Sequence, residues 1–131
     1  MSTFTLDLSK FGAKAIGNAE KVARKIGLDM HSRIVERMPV DTGRARANTG
    51  IAVGGNPGTK TDSTGMPTAN VGGFKLGDSI TIFNNVEYIG VLEFGRGDGR
   101  PGSPQAPSGM FRVSFQEVAS RVGAIASEVN R

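Results

Sequence analysis

Apolar residues recur at Phe11, Ala15, Ala19, Val22, Ile26, Met30, Ile34 and Met38, in steps of three or four, and Pro39 follows at once. That period predicts one long helix with a single buried stripe. Ser9 is the expected N-cap, and Pro39 ends the helix because it lacks an N–H and its ring clashes with the preceding turn. Gly12, Gly17 and Gly27 each weaken the helix by about 1 kcal/mol relative to Ala, with a break expected near Gly12 or Gly17. Such a stripe requires an apolar partner, so packing and not propensity has to hold the helix.

The rest of the chain supplies that partner. Ala47 to Val53 reads as a strand. Asp78 to Asn84 reads as a clearer one, with Ile80 and Ile82 on one face and Ser79, Thr81 and Phe83 on the other. Gly54 to Gly77, rich in Gly, Pro, Thr and Asn, is longer than loops usual within a compact domain and is expected to be a projecting hairpin or a disordered loop. Asn84-Asn85 signals a turn, and Val86 to Phe94 is compatible with a strand, a helical turn or both. A second Gly/Pro segment, Gly95 to Pro107, leads to a helix carrying Met110, Phe111, Phe115, Val118, Val122, Ile125 and Val129, with Ser108 as its expected N-cap. The expected fold class is α+β: long N-terminal and C-terminal helices on one face of a small antiparallel β-sheet, with long projecting loops at 54–77 and 95–107.

Size and composition narrow the classes. The 131 residues fit a single domain spanning 1–131. With 37% hydrophobic residues, no Trp and 19 glycines, its core is modest, and with no cysteine there is no disulfide to reinforce it. Burial between subunits is the natural substitute. No apolar run reaches the roughly 18 to 20 residues that span a bilayer, and the N-terminus lacks the order of a signal peptide, so a cytoplasmic protein without membrane association is expected. The net charge of +4 permits polyanion contact, but Asp7, Glu20, Asp29, Glu36 and Asp41 interleave with the bases before Gly50 as on a solvated helix face.

Catalytic and ligand motifs are weak. Asp41-Thr42-Gly43 is the tripeptide around the paired aspartates of aspartic proteases, in which two carboxylates share one proton. Such a loop has to sit between β-strands, whereas Asp41 follows a helical stripe and Arg44 replaces the usual small residue. The plainer reading is a turn in which Asp41 and Thr42 bond nearby backbone N–H groups and Gly43 supplies the backbone angle for the exit. Gly54 to Thr61 departs from a phosphate loop at Thr59, which stands where the second glycine belongs. Gly95, Gly97 and Gly99, with Arg96-Gly97-Asp98, read as loop composition. His31, the lone histidine, is expected at the surface or rim, and no cofactor or metal is expected.

The order of separated pieces is more specific than any one of them. Pro39-Val40-Asp41-Thr42-Gly43-Arg44 follows the first helix. Ile82-Phe83-Asn84-Asn85-Val86-Glu87-Tyr88, Leu92-Glu93-Phe94-Gly95 and a Gly/Pro loop through Ala106-Pro107 precede the last helix. Over about Met30 to Phe115 this resembles the tail-completion, or neck, proteins of long-tailed bacteriophages and prophages. The resemblance implies a non-enzymatic α+β virion subunit that joins the tail to the DNA-filled head. It implies a homo-oligomeric ring, expected to be hexameric, contacting head-completion or connector proteins and tail terminator or tail tube proteins after assembly in the host cytoplasm. A tail terminator is the related alternative, and a basic nucleic-acid-binding domain or an aspartic protease dimer using Asp41 are alternatives of other classes.

On that resemblance Asp41, Thr42, Gly43, Arg44, Tyr88, Glu93 and Phe94 are the motif and subunit-interface candidates. Arg44 and Glu93 read either as charges that fix a turn against a neighbouring segment or as solvated charges, in equal measure, and Tyr88 and Phe94 read as plugs of the sheet-helix core. Lys60 and Lys75 on the 54–77 loop are candidates for contact with a neighbouring ring or with DNA in the channel. Contact of that kind would be non-specific and salt-dependent, through phosphates alone.

Overall fold

The computed structural model describes residues 2–7 and 16–129. In chain order the elements are β1 (Ser2–Asp7), α1 (Ile16–Arg37), α2 (Arg44–Ala47), β2 (Gly50–Val53), β3 (Ser79–Asn84), α3 (Ile89–Phe94) and α4 (Phe111–Val129). The strands form one antiparallel sheet in the order β1-β3-β2, with Phe4 opposite Ile82 and Ile51 opposite Ile82 from the other side. The architecture is α+β: α1 lies on the sheet across β2 and β3, and α4 packs along α1 on the same side.

The α1 stripe is buried as its spacing requires. Ala19, Val22, Ile26, Met30, Ile34 and Met38 are all in the interior, and they meet Ile80 and Ile82 of β3 and Phe111, Val118 and Ile125 of α4. The helix runs through Gly17 without a break; the expected cap at Ser9, Phe11, Ala15 and the expected break at Gly12 lie outside the described residues. Gly27 proves to be a packing site. A Cβ there would stand 3.0 Å from Ile80 Cδ1, so the absent side chain lets helix and sheet approach closely.

A ladder of ion pairs closes the outer seam between α1 and α4. Glu117 accepts from Arg33 at 2.7 Å and from Arg37, while Arg37 also reaches Ser114 Oγ at 3.0 Å. Arg121 pairs with Asp29 at 3.0 Å and Lys25 with Glu128 at 2.6 Å. The two guanidiniums, Arg37 first, hold the Glu117 carboxyl down at about 2. These groups are partly exposed, so they contribute alignment more than stability.

Three departures from the sequence pattern stand out. The strand expected from Ala47 starts only at Gly50, because Arg44–Ala47 forms a turn of helix directly after the Asp-Thr-Gly corner. Ser2–Asp7 is a strand that the sequence reading did not identify; it pairs with β3 along its whole length. Phe115, placed on the α4 stripe, is 41% exposed and points away from the core.

The 54–77 segment is not a strand hairpin. It is tied to the body at Asn56, at Thr61 and again over 71–76, while 57–66 stays exposed throughout. Asn56 and Asn85 exchange amide hydrogen bonds at 3.0 and 2.9 Å, and Asn48 brackets Thr61 by accepting from its N–H at 2.7 Å and donating to its C=O at 2.9 Å. Further on, Val71 and Phe74 enter the core, and Glu20 accepts the Leu76 N–H at 3.2 Å.

Gly50 and Phe83 face each other across β2 and β3, and the Phe83 ring lies over the glycine. A Cβ at position 50 would fall 2.6 Å from Phe83 Cε2, deep inside contact distance. Gly50→Val is therefore expected to destabilise the domain by about 1 to 3 kcal/mol, the usual scale for overpacking. Chemical denaturation followed by circular dichroism measures this, and Phe83→Ala in the same chain should relieve the steric part of the loss.

Candidate functional site

The turn after α1 is built from side chains that replace missing backbone partners. Met38 N–H closes the last helical turn on Ile34 O at 2.9 Å, and Pro39 stops the ladder. Gln105, from the 95–107 loop, then clamps Val40 from both sides, accepting its N–H at 3.0 Å and donating to its C=O at 3.2 Å. Thr42 Oγ1 accepts the Arg44 N–H at 3.3 Å. Gly43 has φ of 91°, and a Cβ there would meet Thr64 O at 2.8 Å, so both backbone and space select glycine. Asp41 is exposed beside it.

Arg44 links this corner to the 54–77 segment and to Glu87 just ahead of α3. Its guanidinium forks onto Glu87 at 2.8 and 3.3 Å, donates to Thr61 O at 3.2 Å and lies 3.3 Å from Asp62. Lys60 adds a second cation on Glu87 at 2.6 Å. Arg44 first and Lys60 second hold the Glu87 carboxyl far below the usual carboxylate range. One acid thus ties the Asp41–Arg44 turn, the 54–77 segment and the entry to α3.

Beneath the surface lies a buried polar knot. Asn84 Nδ2 donates to Ala45 O at 2.6 Å and to Thr49 Oγ1 at 3.2 Å, and its Oδ1 accepts the Val86 N–H at 3.1 Å. Thr49 Oγ1 donates to Ala45 O at 3.1 Å, and Thr49 O is 2.8 Å from His31 Nε2. Asn84 and Thr49 are fully buried and His31 is 5% exposed. The lone histidine is therefore an internal brace between α1 and β2 and not a rim residue. Burial pushes its pKa below 6.5, against a smaller upward pull from the Thr49 carbonyl.

Glu93 occupies the other buried polar site. Its carboxylate accepts N–H bonds from Met110 at 2.9 Å, Phe111 at 2.8 Å and Arg112 at 3.1 Å, and a charged bond from Arg112 Nε at 3.0 Å. It caps the first turn of α4 from a different element, the role expected of Ser108, and it places a negative charge at the positive end of the helix dipole. Gly109, with φ of 87°, makes room: a Cβ there would lie 2.7 Å from Glu93 Oε2.

These contacts revise several sequence expectations. Of the two readings of Arg44 and Glu93 the structure takes the first: Arg44 fixes its turn against Glu87, and Glu93, 1% exposed, fixes the start of α4 together with Arg112. Tyr88 and Phe94 do not plug the core. They are 40% and 63% exposed on the outer side of α3, while Ile89 and Glu93 take the inner side. Lys60 is engaged with Glu87, and Lys75 is exposed next to the buried Phe74 near the far end of the segment. Asp41 lies between helices α1 and α2, not between strands as the protease arrangement requires.

The separated motif pieces nevertheless converge. Pro39 to Ala45, Tyr88 and Leu92, with Gly102, Ser103 and Gln105, line one open cleft of ≈ 520 Å³. Among the described residues no three His, Asp or Glu side chains gather as metal ligands, and no helix is long and apolar enough to cross a membrane. Glu87, Asn84, Gln105 and Arg112, which complete these arrangements, were not among the sequence candidates. The Asn-Asn pair at 84–85 was the one available signal, legible only as a turn.

Two outcomes are expected. Glu93→Ala leaves the buried N–H groups of Met110 and Phe111 and the half-buried N–H of Arg112 without their acceptor, and should cost about 3 kcal/mol in unfolding free energy, whereas Ser108→Ala should cost well under 1 kcal/mol. For His31, the unfolded chain binds a proton below pH 6.5 more readily than the folded one. Its contribution is therefore complete above pH 6.5 and lost as pH falls through the lowered folded value. Urea midpoints measured from pH 7.5 down to 5 should fall in the wild type and stay flatter in His31→Gln, while Glu117, held at about 2, does not titrate in that window.

No protein-family model, no curated protein and no solved structure matches this chain.

Proposed function

We propose that the protein is a structural subunit of a phage neck, a ring-forming chain that completes the tail end and joins it to the DNA-filled head. One observation carries the reading. The Pro39-Val40-Asp41-Thr42-Gly43-Arg44 piece lines one cleft with Tyr88 and Leu92, two residues of the other strong piece of the resemblance, Asn84-Asn85-Val86-Glu87-Tyr88 with Leu92-Glu93-Phe94-Gly95, more than forty residues away. A motif split along the chain but joined in space is what a shared functional surface leaves in a sequence.

Further features support an assembly role. The cleft is open to solvent. Exposed apolar Val40 and Tyr88 line it, and Val91 and Phe94 continue the exposed apolar side of α3, as is usual for surfaces covered in an assembly. The exposed middle of the 54–77 segment and the basic loop Arg96–Arg100 offer further contacts to adjoining rings. In this reading the protein is not an enzyme, forms a ring that is hexameric by resemblance, and meets DNA, if at all, through phosphates. The terminator station at the same junction is the nearest alternative.

Mass spectrometry of purified phage or induced-prophage particles tests the proposal. A few copies per particle, close to six, measured against the major tail protein, is the expected result. Absence from intact particles overturns it. Tight salt-dependent DNA binding by the isolated chain would favour a nucleic-acid-binding domain, and peptide cleavage lost in Asp41→Asn would favour the protease.

A further inference from the structure

The six residues of α3 put Tyr88, its N-cap, and Val91 and Phe94 at intervals of three on one side, exposed by 40%, 46% and 63%. Val40, 38% exposed, adjoins Tyr88 across the cleft. The inner side is fully used by Ile89 and Glu93. An aliphatic and aromatic stripe of this kind gains nothing from water, and a short helix does not need it for its own folding.

The charges around the stripe are polar in the sense of having two ends. At the Tyr88 end stand three acids, Asp41, Asp62 and Glu87, against two bases, Arg44 and Lys60. At the Phe94 end stand three bases, Arg96, Arg100 and Arg112, against two acids, Glu93 and Asp98. Asp41 and Arg96 make no direct ion pair among the described residues, one at each end of the stripe; Arg96 shares Asp98 at longer range with its direct partner Arg100, so one acid stays in excess at the Tyr88 end and one base at the Phe94 end.

A strip with one net acid at one end and one net base at the other is complementary to itself after a half-turn about its centre. We infer that this face binds a second copy of the chain across a two-fold axis near Val91. The α3 stripes then pack antiparallel, and Asp41 of each copy meets Arg96 of the other. Arg112 already lies 5.1 Å from the Phe94 ring centroid, so a cation is in place to cover the aromatic edge as the stripe leaves water. The same exposed residues serve the neck reading, and the two are told apart by experiment: solution mass tests the pairing of two copies and particle composition tests the neck assignment.

Sedimentation velocity of the full chain across the micromolar range is the experiment. The patch is small beside the interfaces of permanent dimers, so a reversible monomer–dimer equilibrium is expected. Phe94→Asp and Val91→Lys, both at exposed positions, should each weaken dimerisation at least ten-fold with little change in thermal melting. Asp41→Arg and Arg96→Asp should each weaken it several-fold, and the double variant should recover affinity because a two-fold axis pairs the reversed charges again. A wild type that stays monomeric throughout, an assembly indifferent to both stripe variants, or a double charge reversal no better than the singles each overturns the inference.

Discussion

The Glu93 carboxylate is the interaction on which the arrangement of the second half of the chain depends. A buried carboxylate is costly unless it is fully bonded, and here it takes three backbone N–H groups and one guanidinium. Those donors are the ones the start of α4 would otherwise leave without partners. A single charge therefore fixes α3 against α4, sets where α4 begins, and orients Arg112 across Phe94. Gly109 belongs to the same unit, since any side chain there would displace the carboxylate.

The other half of the molecule is organised around β3. Ile80 and Ile82 give it one apolar face for α1, and Asn84 at its end gathers Ala45, Thr49 and Val86 into one buried network that His31 braces from α1. Both neighbouring strands pair with it. Because the network satisfies the backbone where α2 turns into β2, the Asp41–Arg44 corner is held from below while Gln105 and Glu87 hold it from the side. The cleft is thus formed by rigid elements and two strapped loops, a suitable base for contact with other chains.

A protein with a thin core and much glycine has to find order from local polar ties. Here they are numerous along the 54–77 segment: Asn48, Asn56, Asn85 and Glu20 each substitute for missing backbone partners. The apolar groups that such a core does not absorb, Tyr88, Val91 and Phe94, remain outside together. Stability and interaction are linked by the same shortage, because what the domain does not bury is what an assembly can.

The sequence by itself determined α1, its end at Pro39, strand β3, the helix from Phe111 and the need for glycine at position 43, because each rests on a period of a few residues or on one residue's own backbone limits. Only the tertiary structure decided the partners. Glu93 is open between a solvated charge and a turn-fixing one until α4 is brought to it across seventeen residues, Arg44 meets Glu87 from forty-three residues away, and His31 is covered where it bonds Thr49. Strand β1 is short and takes its place from pairing with β3, so its own residues carried little signal. Which face of α3 looks outward was undecidable locally, since Tyr88 and Phe94 are as apolar as Ile89; the inner side is chosen by the buried carboxylate between them.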